Sequence, residues 1–183
     1  MSRIKGLTLL EVLIVLLVLG LTCMAVPSFS RLLWQNRLRN DQQQVYRAFM
    51  LARFHAIQTG EFVSVCAREQ RHCAREHGRW DNGWLVFEDP AGNGECQLMA
   101  GGNQCQQGGT VIRYGDGLGH RSKVVANGLL AQRVRFNAMG MAFGFNGRMT
   151  FCSKKKGVKP VGLVLAASGR LRHARDNEML DCP

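Results

Sequence analysis

Gly6-Leu7-Thr8-Leu9-Leu10-Glu11-Val12-Leu13-Ile14-Val15 opens a run that ends at Pro27, and its reading decides the architecture. Between residues 7 and 26 the only charged side chain is Glu11. At a rise of about 1.5 Å per residue, such a run spans about 30 Å of hydrocarbon. Residues 7–26 therefore read as a transmembrane helix. Arg3 and Lys5 precede it, which sets the amino-terminal head on the cytoplasmic side and the rest of the chain across the membrane. A cleavable secretory signal would be shorter and end in small residues, and Cys23-Met24-Ala25 does not fit that pattern. A carboxylate inside the apolar run costs free energy unless it meets a positive partner, so Glu11 calls for one.

These residues resemble the class III signal of type IV pilins and type II secretion pseudopilins. The resemblance implies a leader of residues 1–6, cut by a prepilin peptidase after Gly6, and methylation of the new terminus at Leu7. The family usually has Phe or Met where this chain has Leu7. The resemblance also assigns Glu11 to assembly, where the glutamate meets the terminal amine of a neighbouring subunit. Location in the inner membrane as a single-pass protein with a periplasmic head follows, and other major and minor pilins are the expected partners.

Beyond Pro27 the helical pattern resumes, so a kink is expected there rather than a stop. Val45, Phe49, Ala52 and Ala56 recur at steps of 4, 3 and 4. One helix over residues 7–59, ending at Gly60, would be about 78 Å long, with its second half packed on a head of residues 60–183. Its arginines, Arg31, Arg37, Arg39, Arg47 and Arg53, read as a solvated face.

The head reads as β. Residues 61–67, 83–88, 110–114 and 161–167 carry strand signals, and residues 139–145 and 148–152 flank Asn146-Gly147, a hairpin signal. Residues 89–109 and 115–124 read as long glycine-rich loops. The fold class is α+β, a type IV pilin-like long amino-terminal helix packed on antiparallel sheets. The segment Trp80-Asp81-Asn82-Gly83-Trp84-Leu85-Val86-Phe87-Glu88-Asp89, with Gly92-Asn93-Gly94, is similar to one in GspH/FimT-type minor pilins. Val164-Leu165-Ala166-Ala167-Ser168-Gly169-Arg170 resembles that family's closing strand and turn. The tryptophan pair itself reads as core.

Seven cysteines are present, and the six beyond Cys23 fit three disulfides in an oxidising compartment. Six cysteines allow many connectivities, which sequence leaves open. The shortest loops pair Cys66 with Cys73 and Cys96 with Cys105, and Cys152 with Cys182 ties down the tail. Cys66, His72, Cys73 and His77 match no common zinc spacing, so no metal and no cofactor is expected.

The formal net charge is +11, and residues 111–175 hold thirteen basic side chains against Asp116 alone. An anionic partner is implied. FimT-type pilins that bind DNA carry a G-R-x-R turn, and Gly169-Arg170-Leu171-Arg172 resembles it. In extended backbone Arg170 and Arg172 point the same way about 6.6–6.8 Å apart. Lys154, Lys155, Lys156 and Lys159 precede the same strand and Arg148 starts the one before, so all of them are expected on one tip of the head. Such a patch binds phosphates without base readout. No stacking aromatic is expected near the patch, which favours duplex over single strands. Removal of residues 1–6 would take Arg3 and Lys5 and leave the mature side chains at +9.

The histidines form no nucleophile pattern, and Gly115-Asp116-Gly117-Leu118-Gly119 lacks the lysine of a phosphate cradle. Asp81, Glu88 and Asp89 read as loop carboxylates rather than a catalytic pair. The expectation is therefore a non-enzymatic minor pilin of a type IV pilus that binds DNA for uptake in natural transformation. The alternative is a GspH-like type II secretion pseudopilin, or a pilus-priming subunit, with a purely structural role.

Overall fold

A computed structural model describes residues 8–75, 79–119 and 122–183, with the backbone alone at residues 22–28. Helix α1 covers Leu9–Thr59. The Thr8 hydroxyl accepts from the Glu11 amide at 3.3 Å and caps its start. At the other end Gly60 adopts φ 74°, and its amide donates to the Ala56 carbonyl at 3.0 Å. That left-handed cap favours glycine, as the sequence position implied. The backbone stays helical across Pro27.

The two halves of α1 differ in what covers them. Leu9, Leu13, Leu16 and Leu17 are exposed, whereas Leu38, Val45, Ala48, Phe49, Ala52 and Ala56 are buried. Those buried positions form one stripe, and the small alanines let the sheets approach the helix closely. Among the described residues no helix is long and apolar enough to cross a membrane. The expected span of 7–26 reaches past Leu21, the last apolar side chain described before residue 29.

Two antiparallel sheets pack on the second half of α1. The first comprises β1 (Val63–Glu69), β2 (His72–Cys73), β3 (Gly83–Glu88), β4 (Val111–Asp116) and β6 (Arg133–Phe136). Its order is β2-β1-β3-β4, with β6 also pairing β1. The second sheet has the order β5-β7-β8-β9, built from β5 (Ser122–Ala126), β7 (Gly147–Ser153), β8 (Val161–Leu165) and β9 (Leu171–His173). The α+β, pilin-like architecture stands. Phe49, Phe136, Met149, Phe151, Leu163 and Leu165 fill the space between sheets and helix, and each such burial stabilises by roughly 1.5–3 kcal/mol.

Trp80 and Trp84 are core residues, as read from sequence. The Trp80 indole donates to the Leu130 carbonyl at 3.0 Å, and its ring meets Phe49 edge-on. Trp84 lies opposite Gly115 in the β3–β4 register, where any Cβ would overlap its ring. The glycine-rich segment 115–119 thus begins with a glycine that makes room for an indole.

Two strand readings need correction. Residues 139–145 form no strand, and Asn146-Gly147 is no hairpin turn, because Gly147 itself lies in β7 opposite Leu165. Gly140 and Gly144 adopt φ 69° and 80°, and the Asn137 side chain accepts from the Met139 and Met141 amides. That local bonding replaces a ladder with a folded loop. The partner of β7 is instead β5, which begins inside the stretch read as a loop over 115–124.

Candidate nucleic-acid interface

The chain leaves β8 at Leu165 and returns in β9 through a tight turn over residues 166–170. The Ala166 amide donates to the Arg170 carbonyl at 3.0 Å, and the Gly169 amide to the Ala166 carbonyl at 2.9 Å. Gly169 sits at φ 75°, and a Cβ there would overlap the Gly140 carbonyl oxygen. Glycine is required twice, for conformation and for space. Arg53 from the end of α1 donates Nε to that same Gly140 carbonyl at 2.9 Å, which seats the turn against the helix.

Leu171 points into the core, so Arg170 and Arg172 share the outer face of the second sheet. Arg170 is exposed, and its guanidinium has no hydrogen-bond or ion-pair partner among the described residues. Arg172 differs. Its Nη1 and Nη2 grip the two carboxylate oxygens of Glu178 at 2.7 and 2.5 Å. The bidentate bond from Arg172, helped by the Arg175 amide at 2.8 Å, lowers the Glu178 carboxyl from an ordinary 4.5 to about 2. In return the Glu178 hydrogen bond raises the Arg172 guanidinium.

Register places a further arginine in line. Arg148 pairs with Val164 and Val164 with Arg172, so the three lie in one cross-strand row on the outer face. At about 4.8 Å between strands, Arg148 and Arg172 are roughly 10 Å apart at their backbones. The Asn127 side chain accepts from the Arg148 amide at 2.7 Å and holds the start of β7. The Arg148 guanidinium has no partner among the described residues.

The lysines do not join this group. Strand β8 is antiparallel to both neighbours, so the β7–β8 loop with Lys154, Lys155, Lys156 and Lys159 lies at one end of it and the Gly169 turn at the other. The single tip expected from sequence is two separate basic regions. The remaining excess also disperses. Arg133 donates to the Asn93 and Gly94 carbonyls, and Arg135 stacks over the Phe62 and Phe145 rings at 5.1 and 5.7 Å.

Sequence reasoning missed Glu178 and Phe143. The only local trace of the first is an acidic residue a turn after Arg175. Phe143 is 62% exposed, and its neighbour Ala142 donates to the Ala167 carbonyl in the turn at 2.9 Å. An exposed aromatic residue thus follows directly on a position bonded to the turn, although 27 positions separate Phe143 from Arg170.

Other residues singled out from sequence have structural partners. Cys66–Cys73, Cys96–Cys105 and Cys152–Cys182 form disulfides, the pairing the shortest loops favoured. The first consumes both sulfurs of the Cys66/Cys73 metal alternative; His77, its fourth member, lies outside the described residues. The third holds the tail over the outer face, where the Leu180 amide donates to Thr150 Oγ1 at 2.8 Å. Asp81 binds Arg79 at 2.7 Å, and Asp89 accepts from Ser64 Oγ at 2.7 Å and the Gly94 amide at 2.8 Å. Glu88 faces His55 at 3.1 Å; partial burial raises its carboxyl, but bonds from His55 and Thr110 outweigh that and leave it lowered. Glu11 is exposed in the first turn of α1, and Gly6 and Leu7 lie outside the described residues.

Residues 41–169 match the family described as Type II transport protein GspH. The chain belongs to the GspH family. This family of minor pilins and pseudopilins accounts for the helix-and-sheets architecture. The type IV minor pilin FimU of Pseudomonas aeruginosa, known in two crystal forms, is similar in fold. It superposes with TM-scores of 0.55 and 0.52 at 16% and 15% identity, over 78% and 76% of this chain and 91% and 94% of FimU. The minor pseudopilin EpsH of the Vibrio cholerae type 2 secretion system aligns with TM-score 0.48 and 13% identity, over 75% of this GspH-family chain and 96% of EpsH. No curated protein sequence matches the chain.

Proposed function

We propose that this GspH-family chain is a FimT-type minor pilin that binds DNA without sequence preference, supporting DNA uptake in natural transformation as well as pilus assembly. In this reading a prepilin peptidase cuts after Gly6 and Leu7 is methylated. Residues 7–26 anchor the subunit in the inner membrane until Glu11 meets a neighbour's amine in a filament of major and minor pilins. The observation that carries the DNA reading is the exposed, unpaired guanidinium of Arg170 on a turn packed against Gly140 at Gly169, with Arg148 on the same outer face. Guanidinium groups suit phosphate oxygens, and backbone contact without base-edge groups predicts sequence-independent affinity. Arg172 is a reserve contact, occupied by Glu178. Lys154, Lys155, Lys156 and Lys159 are no longer part of the site.

The test is anisotropy titration of the full chain in detergent with unrelated duplexes at several salt concentrations. Binding that steepens at low salt and weakens in Arg170→Ala supports the reading. A second reading, a subunit that binds only other pilins, draws on the Arg172–Glu178 pair, which neutralises half of the G-R-x-R turn. Absence of binding at low salt would establish it.

A further inference from the structure

The β7–β8 lysine loop is built toward a different surface from the arginine turn. Its backbone is fastened to α1 by two reciprocal bonds, from Gln35 Nε2 to the Lys159 carbonyl and from the Lys159 amide to Gln35 Oε1, both 3.0 Å. The loop then turns at Gly157, φ 80°, where a Cβ would stand 3.6 Å from the Arg31 guanidinium carbon. From Gln35 the loop thus reaches back one helical turn toward the amino-terminal end of α1. Val158 packs on the core, and the Lys155 amide donates to Ser153 Oγ at 3.1 Å, so Lys154, Lys155 and Lys156 project from a held backbone. All three are exposed, and their ammonium groups have no partner among the described residues.

Arg31 lies five residues past the end of the apolar run at residue 26, about 7.5 Å along the helix axis. That is within the Debye length of about 8 Å at physiological salt. Residues 12–40 of α1 contain no acidic side chain, while Arg31, Arg37 and Arg39 lie among them. Arg31 and the lysine loop therefore bring positive charge together at the base of the head, on the side where the apolar run ends.

We propose that Lys154, Lys155, Lys156 and Lys159, with Arg31, form a docking surface for anionic phospholipid headgroups, which holds the unassembled head against the membrane. This rests on the membrane-anchored reading of residues 7–26 and is independent of DNA binding at the Gly169 turn. A basic side chain close to an anionic bilayer surface contributes roughly fivefold in partition, and this holds for whichever leaflet carries the anionic headgroups. Release of these side chains from lipid would accompany the subunit's transfer into a filament.

The experiment uses the full chain in detergent micelles doped with equal amounts of phosphatidylglycerol and phosphatidylcholine, with retained lipids counted by native mass spectrometry. The wild type should retain phosphatidylglycerol over phosphatidylcholine by at least about tenfold, and Lys154→Gln/Lys155→Gln/Lys156→Gln should bring the ratio close to parity. Arg170→Ala should leave the ratio intact, and so should loss of DNA binding. Equal retention of both lipids by the wild type overturns the proposal, as does an unchanged ratio in the triple variant. A triple variant whose duplex affinity falls as far as that of Arg170→Ala places the loop on the DNA surface and likewise overturns it.

Discussion

Arg172 and Glu178 form a two-pronged ion pair across six residues of the carboxy-terminal tail, with Nη1–Oε2 at 2.7 Å and Nη2–Oε1 at 2.5 Å. The guanidinium that a sequence motif offers to phosphate is already held by a carboxylate of its own chain. A ligand phosphate must displace Glu178 or be repelled by it.

Glu178→Gln should therefore strengthen duplex binding. Freeing Arg172 adds one phosphate contact, and the slope of log K against log salt should steepen by about 0.9. Arg170→Ala should flatten it by about 0.9, and Arg172→Ala should change it less than Arg170→Ala does. Anisotropy titrations over a salt series measure all three. Equal losses for the two arginine variants would show that Glu178 does not restrain Arg172.

The same pair sets a pH dependence. A carboxylate held below its ordinary value stabilises the folded state above that value, here 4.5, and the contribution is lost as pH falls toward about 2. Carboxyl-detected NMR should show Glu178 still ionised at pH 4. In Arg172→Ala its midpoint should return toward the ordinary carboxylate range.

Gly169→Ala should destabilise the head. The left-handed φ alone costs roughly 1–3 kcal/mol, and the new methyl also meets the Gly140 carbonyl. A lowered Tm in thermal unfolding followed by circular dichroism checks it, with Lys155→Ala on the exposed loop expected to leave Tm unchanged.

Exposed Phe143 offers a test of duplex against single-strand recognition. Stacking on an exposed ring contributes about 1–3 kcal/mol per base, and paired bases do not present their faces. Phe143→Ala should weaken single-strand binding by roughly tenfold or more and leave duplex binding unchanged. Competition between labelled duplex and unlabelled single strand reads the difference.

Loss of the tail disulfide in Cys152→Ser/Cys182→Ser should lower unfolding stability by about 3.5 kcal/mol from loop entropy, with a 30-residue separation between the two sulfurs. Denaturant titration measures it.

Much of the fold was legible because its signals are local. The spacing of Val45, Phe49, Ala52 and Ala56 lies within a few turns, and Gly60 marks its own helix end. The apolar runs of β3 and β8 sit where hydropathy placed them. Residues 139–145 misled because an alternating pattern says nothing of the Asn137 side chain, which captures two amides, or of two glycines at positive φ. Strand β5 was missed because its identity lies in pairing with β7.

By itself, then, the sequence determined the long helix, its change from exposed to buried, the β-rich head and the residues of the tight turn. These follow from periodicity and backbone preference within windows of about ten residues. Only the tertiary structure decided which charges stand together. Because β8 is antiparallel to both β7 and β9, the lysine loop and the arginine turn fall at opposite ends of one strand. Because the tail folds back over the outer face, Glu178 neutralises one arginine of the turn and leaves Arg170 free. Charge acts through space, and chain order does not report which residues distant strands and a disulfide bring within a few ångströms of one another.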